Sequence, residues 1–468
     1  VRSRVVLSLI GALLASACAA PDLGPKPELK VATEQHLLSG PVADWPATAW
    51  WADYGDVQLS ALIEAGLQDA PTIAVAEARL RRATALAAQA RAVELPTVGA
   101  SAAFGESKPS YNTGVPTPSA LRGWNDTGRA SLDFGYELDL WGRNHSAIAA
   151  ATSEAAAAKA DAAAARLIVS TAIAATYADL ARLFADRDAL AATVAVREQT
   201  LDFVRRRTAS GYDSEAELRQ AEVGPPLARA ELEATGEQIA LTRLRLATLM
   251  GQAPDCATTI DRPDVFRLRG LGLPAALSSA LIARRPDLVA ARWRAEAASE
   301  RIDVARAAFY PNVNLVGLIG VQSLGLGRLA NAGSDLGSGG VVLGLPIFDG
   351  GRRKAGFKVA RADYDAAVAA YNATLNLALE EVADAVTSQR ALDRRLAETL
   401  QAQEAASGAW ALAKRRYAAG ASDFTAVLVA EDRMLATSRA VAALEARRFI
   451  LDLALVRALG GGWREAAA

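Results

Sequence analysis

The side chains that usually do chemistry are scarce in this chain. Two histidines (His36, His145) and two cysteines (Cys18, Cys256) lie far apart among 468 residues. That removes nearly all layouts for zinc, haem or iron–sulfur ligation and most histidine-based catalysis. Neither a nucleophile–base pair nor a phosphate-binding loop can be read, so neither an enzyme nor a cofactor is expected. One thiol stands where processing enzymes act. Arg2 and Arg4 precede the apolar run from Val5 to Leu14, and Ala15-Ser16-Ala17-Cys18 closes it. The run is about ten residues, too short for a spanning helix of roughly 20, and has the layout of a secretory signal cut near Ala17. Cys256 is expected to be a loop thiol without function.

Charged residues make up 22% of the chain and the net charge is −1. This balance marks neither a nucleic-acid binder nor a polybasic membrane-surface protein. The organisation is more informative. Ala70-Pro71 through Leu95-Pro96 can be laid on Arg285-Pro286 through Tyr310-Pro311 at an offset of 215. Trp141-Gly142-Arg143 falls on Gly350-Gly351-Arg352, and Arg206 through Gly211 on Arg415 through Gly420, at an offset of 209. Two blocks at fixed offsets identify a duplication. The extra residues of the first copy fall around Pro109 to Pro118, in loop-like sequence.

Each copy repeats one order of parts. A helix (Leu59 to Glu94; Ser278 to Phe309) is stopped by proline. Strand-like sequence follows. Leu132 to Leu140 alternates apolar and polar residues strictly; Val313, Leu315, Gly317, Ile319 and Val321 do so more weakly, as do Val341, Leu343, Leu345 and Ile347. With Thr97 to Ser107 these predict four strands, each with one face in an apolar medium. Asp133, Glu137 and Asp139 then share the wet face. Proline-free, alanine-rich stretches, Ala147 to Ser210 and Arg353 to Ala419, predict helices about 100 Å long. Gly211 and Gly420 mark helix-reversing turns, and return helices run to about Met250 and Leu459. Gly224-Pro225-Pro226 should interrupt the first of these and kink it. Four amphipathic strands cannot close a barrel, so several chains must share one. Trp45, Trp50 and Trp51 are expected either at the membrane interface or packed against the helices.

The segments Ala283-Arg284-Arg285-Pro286-Asp287-Leu288, Ile302 to Pro311 and Gly344 to Arg352 resemble the signature of the outer-membrane factor family, TolC-like and of the NodT/OprM lipoprotein branch. The resemblance covers nearly the whole chain. It implies an α+β membrane protein with internal duplication: a trimer sharing a 12-stranded β-barrel, continued by a long α-helical periplasmic barrel. The divisions expected are a signal peptide (1–17), a lipid-anchored extended segment (18–58), two repeats (59–251 and 278–460) joined by a linker (252–277), and a tail (461–468). Residues 15–18 resemble a lipoprotein box in which Cys18 is acylated, although Ala15 stands where the family usually has Leu or Val. Ala19 in place of Asp then implies the outer membrane.

Implied partners are two further copies, a periplasmic adaptor, an inner-membrane resistance-nodulation-division (RND) pump and outer-membrane lipid, with no nucleic acid. The implied function is a passive gated duct for small molecules. The alternatives are a duct for one-step protein secretion and a helical periplasmic adaptor or structural lipoprotein without a pore. The resemblance places the gate at the periplasmic tips, on Asp213, Glu217, Tyr417 and Asp423, with Arg206 and Arg415 nearby, and adaptor contact at the Gly211 and Gly420 turns. Where relatives carry Leu-Asp-Ala, this chain has Leu428-Val429-Ala430. An acidic ring at that level is therefore not expected.

Overall fold

A computed structural model describes residues 21–30, 47–112, 114, 116–119, 122–263 and 282–465. Cys18, the signal segment, His36, Trp45 and linker residues 264–277 lie outside the described residues. The chain divides into two compact units. One comprises Val1–Leu29, Leu80–Ala157 and Ala291–Tyr371, the other Lys30–Arg79, Ala158–Ala290 and Asn372–Ala468. In order, the principal elements are α1 (Val57–Asp69), α2 (Pro71–Arg91), β1 (Thr97–Ser107), β2 (Asn125–Leu138), α3 (Arg143–Ala209) and α4 (Glu215–Leu249). Then come α5 (Pro286–Ala307), β3 (Asn312–Leu324), β4 (Asp335–Gly344), α6 (Arg352–Ala418) and α7 (Phe424–Ala458).

The first unit is organised by an antiparallel sheet of order β1-β2-β3-β4. Directly paired residues share a face, so register tests the alternation. Leu132 lies opposite Ala100 and Ile319, Phe134 opposite Val98 and Gly317, and Leu315 opposite Tyr136 and Val341. The alternating apolar positions thus share one surface, on which Val98, Leu132, Phe134, Ile319, Val341 and Leu343 are exposed, while Val316, Leu318 and Val342 fall on the other face. On the other face, Asp133 accepts hydrogen bonds from Ser101 (3.1 Å) and Ser131 (3.3 Å). Glu137 pairs there with Arg143 at 3.5 Å. Asp139 does not join them. Strand β2 ends at Leu138, and the Asp139 carboxylate accepts the His145 backbone N–H at 2.9 Å, satisfying a donor at the start of α3. Likewise β4 ends at Gly344, before Leu345 and Ile347, because Pro346 has no N–H to extend the ladder.

Beside the sheet, Ile302, Phe309, Phe357 and Ala360 form a small core that Leu23 joins. The extended segment around Leu23 is strapped down by side chains of α6. Arg361 donates to the carbonyls of Gly24 and Pro25, and the Tyr364 hydroxyl donates to Pro27 at 2.9 Å.

In the second unit the core gathers Trp50, Tyr54, Leu59, Ile63, Ile173, Tyr177, Phe184, Leu246 and Phe449. Trp50, 1% exposed, is therefore a packing residue and not a membrane-interface aromatic. The expected single helix from Leu59 to Glu94 is two helices. Ala70 takes an extended conformation (ψ 126°), as a residue preceding proline prefers, and α2 starts at Pro71. Pro225 and Pro226 lie inside α4 without ending it. Pro225 is buried, and tertiary packing along a 35-residue helix offsets a penalty of about 3 kcal/mol per interior proline.

The Arg-Arg-Pro-Asp signature is a structural clamp in this unit. Arg285, 5% exposed, donates to both oxygens of Asp287 (3.1 and 2.8 Å), to Glu381 on α6 (2.6 Å) and to the Ala458 carbonyl ending α7 (3.1 Å). Burial alone would raise the carboxyl groups of Asp287 and Glu381, but pairing with Arg285 prevails and holds both below their ordinary values.

Candidate gate at the hairpin tips

Both long hairpins reverse by the same device. In the first, Gly211 (φ +75°) lets Tyr212 N–H reach the Arg207 carbonyl at 2.9 Å and Gly211 N–H reach Thr208 at 3.0 Å. In the second, Gly420 (φ +71°) gives Ala421→Arg416 at 2.8 Å and Gly420→Tyr417 at 3.0 Å. Each is a glycine cap in which left-handed backbone satisfies the last carbonyls of the helix. Gly420→Ala should cost about 1 kcal/mol although open space surrounds the position, because the cost lies in the backbone. A thermal-shift measurement on the purified protein, showing a lower midpoint, checks this.

The return helices are capped at equivalent positions, Ser214 and Asp423. Asp423 accepts the Ala426 N–H at 3.0 Å. Glu217 closes a capping box, accepting from the Ser214 N–H (2.8 Å) and hydroxyl. Hydrogen bonds from Ser214 hold its carboxyl below the usual range. Two of the four expected gate residues therefore sit as caps at the starts of α4 and α7.

The other two meet. Tyr417, 4% exposed near the end of α6, donates its hydroxyl to Asp213 Oδ2 at 2.6 Å. Asp213 also takes a fork from Arg207, Nε to Oδ2 at 2.9 Å and Nη2 to Oδ1 at 3.1 Å. The guanidinium lies 4.9 Å from the centre of the Tyr417 ring, which packs against Phe203 and Phe424. Burial pushes the Asp213 carboxyl up, but the bonds from Arg207 and Tyr417 outweigh it and keep the group below its ordinary value. Burial and the Asp213 charge raise the Tyr417 phenol, which stays a donor. One hairpin is thereby tied to the other within a single chain by a charged fork and a phenol, on a floor of Val204, Ala221 and Val427. Arg207 is the member that sequence spacing missed. Arg206 and Arg415 were the basic residues singled out, yet the glycine cap folds Asp213 back onto the next arginine along α3. Val429 is exposed on α7.

The family model for outer membrane efflux proteins matches residues 62–252 and 277–461, one match in each half of the duplication. The chain belongs to this family. This efflux protein is 30% identical over 478 residues to the multidrug resistance outer membrane protein MdtP of Escherichia coli K12, across 99% of this chain and 97% of that relative. Among solved structures, the outer membrane protein VceC of Vibrio cholerae superposes with a TM-score of 0.85 at 42% identity, over 89% of this chain and 99% of VceC. The outer membrane channel MtrE of Neisseria gonorrhoeae, in its open state, gives 0.78 at 26% identity, over 95% and 98%. For an efflux protein the tip geometry has a direct chemical meaning. A carboxylate that takes two bonds from Arg207 and one from Tyr417 fastens the two hairpins to each other.

Proposed function

We propose that this chain is one subunit of a passive, gated outer-membrane duct that releases small molecules delivered by a periplasmic adaptor and an inner-membrane pump. The observation that carries the reading is the sheet. One face carries an apolar band running from Val98 through Leu132 and Ile319 to Val341 and Leu343, the other carries Asp133, Ser101 and Ser131, and among the described residues β1 and β4 each pair on one side only. Unpaired edges in a bilayer cost several kcal/mol per backbone group, so β4 of one copy must find β1 of another. Three copies of four strands make a twelve-stranded barrel, within the range of outer-membrane barrels. Apolar residues then face lipid and the Asp133 side faces water.

The Asp213–Arg207–Tyr417 fastening holds the periplasmic tips in a closed arrangement, and separating the hairpins requires breaking it. That MtrE is known in an open state fits a duct with two forms. Cys18 is the site of acylation, and the strapped segment 21–30 follows it. Energy comes from the pump, which also selects the cargo. Deleting the gene should raise cellular retention of the exported compounds, and wild-type protein should restore efflux. Retention unchanged by deletion, in cells where no second duct is expressed, contradicts the proposal.

A further inference from the structure

About four helical turns behind the tip, a second set of charges joins the hairpins. Arg197 on α3 reaches three ways. Its Nη2 lies 2.9 Å from Asp432 Oδ1 and its Nε 3.4 Å from Glu431 Oε1, both on α7, and its Nη1 lies 3.5 Å from the Gly224 carbonyl on α4. The stem of Arg197 covers Gly224, where an added Cβ would stand 3.2 Å from Arg197 Cδ. This gives the otherwise unexplained glycine of Gly224-Pro225-Pro226 a task, since it admits the arginine.

Glu431 is the unusual member. Its side chain is 1% exposed, whereas Asp432 beside it is 68% exposed. Neither Glu431 oxygen has a hydrogen-bond partner, and Arg197 Nε faces it without a bonded acceptor. A cavity of about 250 Å³ adjoins them, lined also by Thr200, Gln220, Phe424 and Leu428. A buried ion pair that served packing alone would have its lone pairs satisfied, because the cost of desolvation is otherwise not recovered. The neighbouring helix is also weakened. Pro225 and Pro226 lack N–H groups, so the carbonyls of Ala221 and Glu222 lose their helical donors.

We infer that Arg197, Glu431, Asp432 and the Gly224 carbonyl form a second link between the two hairpins of one subunit, behind the tip fastening, and that proton uptake by Glu431 sets its strength. The groups facing Glu431 are Arg197 on α3, Lys414 on α6 and Asp432 on its own helix; α4 presents the uncharged Gln220 and the Gly224 carbonyl. Burial, aided by Asp432, pushes the Glu431 carboxyl above its ordinary value against the pull of Arg197 and Lys414. A carboxyl whose proton affinity is higher when packed than when exposed binds protons preferentially in the packed arrangement. Mild acidification therefore tightens this link, and ionisation of Glu431 as pH rises loosens it. Once protonated, Glu431 gains a donor that water in the cavity or Gln220 can accept.

The inference rests on the duct reading for its importance but not for its test. Hydrogen exchange of the full-length protein in detergent, corrected for intrinsic rates, is read at pH 5.5 and 7.5 over peptides covering 220–228 and 424–434. Wild type should gain about threefold or more protection at the lower pH. Glu431→Gln, neutral at both, should be protected at both and lose the pH dependence. Arg197→Ala should lose protection at pH 7.5, with Arg197→Lys between the two should the alanine variant fold poorly. Identical pH dependence in wild type and Glu431→Gln, or unchanged protection in both Arg197 variants, overturns the link. Failure of the duct itself would appear separately, as absent conductance with these exchange results intact.

Discussion

Asp213→Ala should open the periplasmic end, making cells expressing the variant more sensitive to vancomycin, which is too large for a closed duct. The change removes the acceptor of three hydrogen bonds at once and leaves Arg207 and the buried Tyr417 hydroxyl without it. Losing hydrogen bonds to a charged, mostly buried carboxylate costs about 2–3 kcal/mol. At about 1.4 kcal/mol per factor of ten, the closed form loses roughly 30- to 140-fold in population. Tyr417→Phe removes one of the three bonds and should have a smaller effect in the same direction. The fastening should also be indifferent to mild acid. Asp213 is held below the ordinary value of 3.8, so its contribution is complete above that value and is lost only as pH falls through the depressed one. Unchanged vancomycin sensitivity in Asp213→Ala cells with normal levels of folded protein would count against this fastening.

The largest effect on stability is expected at Arg285. Arg285→Ala takes the buried guanidinium from Asp287, leaves Glu381 only the more exposed Arg457, and removes the donor of the Ala458 carbonyl. Breaking a buried ion pair from one side costs about 3–5 kcal/mol, and the partial exposure of Asp287 together with the Arg457 partner of Glu381 brings the expected loss toward about 2–3 kcal/mol. The purified variant should unfold well below wild type in a thermal scan, whereas Arg285→Lys, unable to fork onto Asp287, should recover only part of the loss. A variant as stable as wild type would mean that the signature is retained for some reason other than this clamp.

The four strands and the long helices were legible because their signals are periodic and local. Alternation predicts the shared apolar face of Leu132, Ile319 and Val341, and proline-free alanine-rich sequence predicts α3 and α6 almost to their ends. Boundaries set by single hydrogen bonds were not legible. Asp139 leaves the strand to hold the start of α3, and Ala70 breaks a helix by one residue's conformation. The tip was half legible. Asp213 and Tyr417 could be singled out, but nothing local says that two residues 204 positions apart meet, or that Arg207 in place of Arg206 completes the fork. Glu217 and Asp423 carry carboxylates in the right place, yet the nearest unsatisfied N–H groups engage them as caps. Arg197 and Glu431 gave no sequence signal, since an arginine and a glutamate on long charged helices read as solvated until packing brings them together.

The most direct test of the duct is single-channel recording of the purified protein in planar bilayers. Wild type should insert as an oligomer of three chains and conduct weakly, and Asp213→Ala should conduct several-fold more with the same number of chains. A folded oligomer that carries no current with either protein would contradict the account.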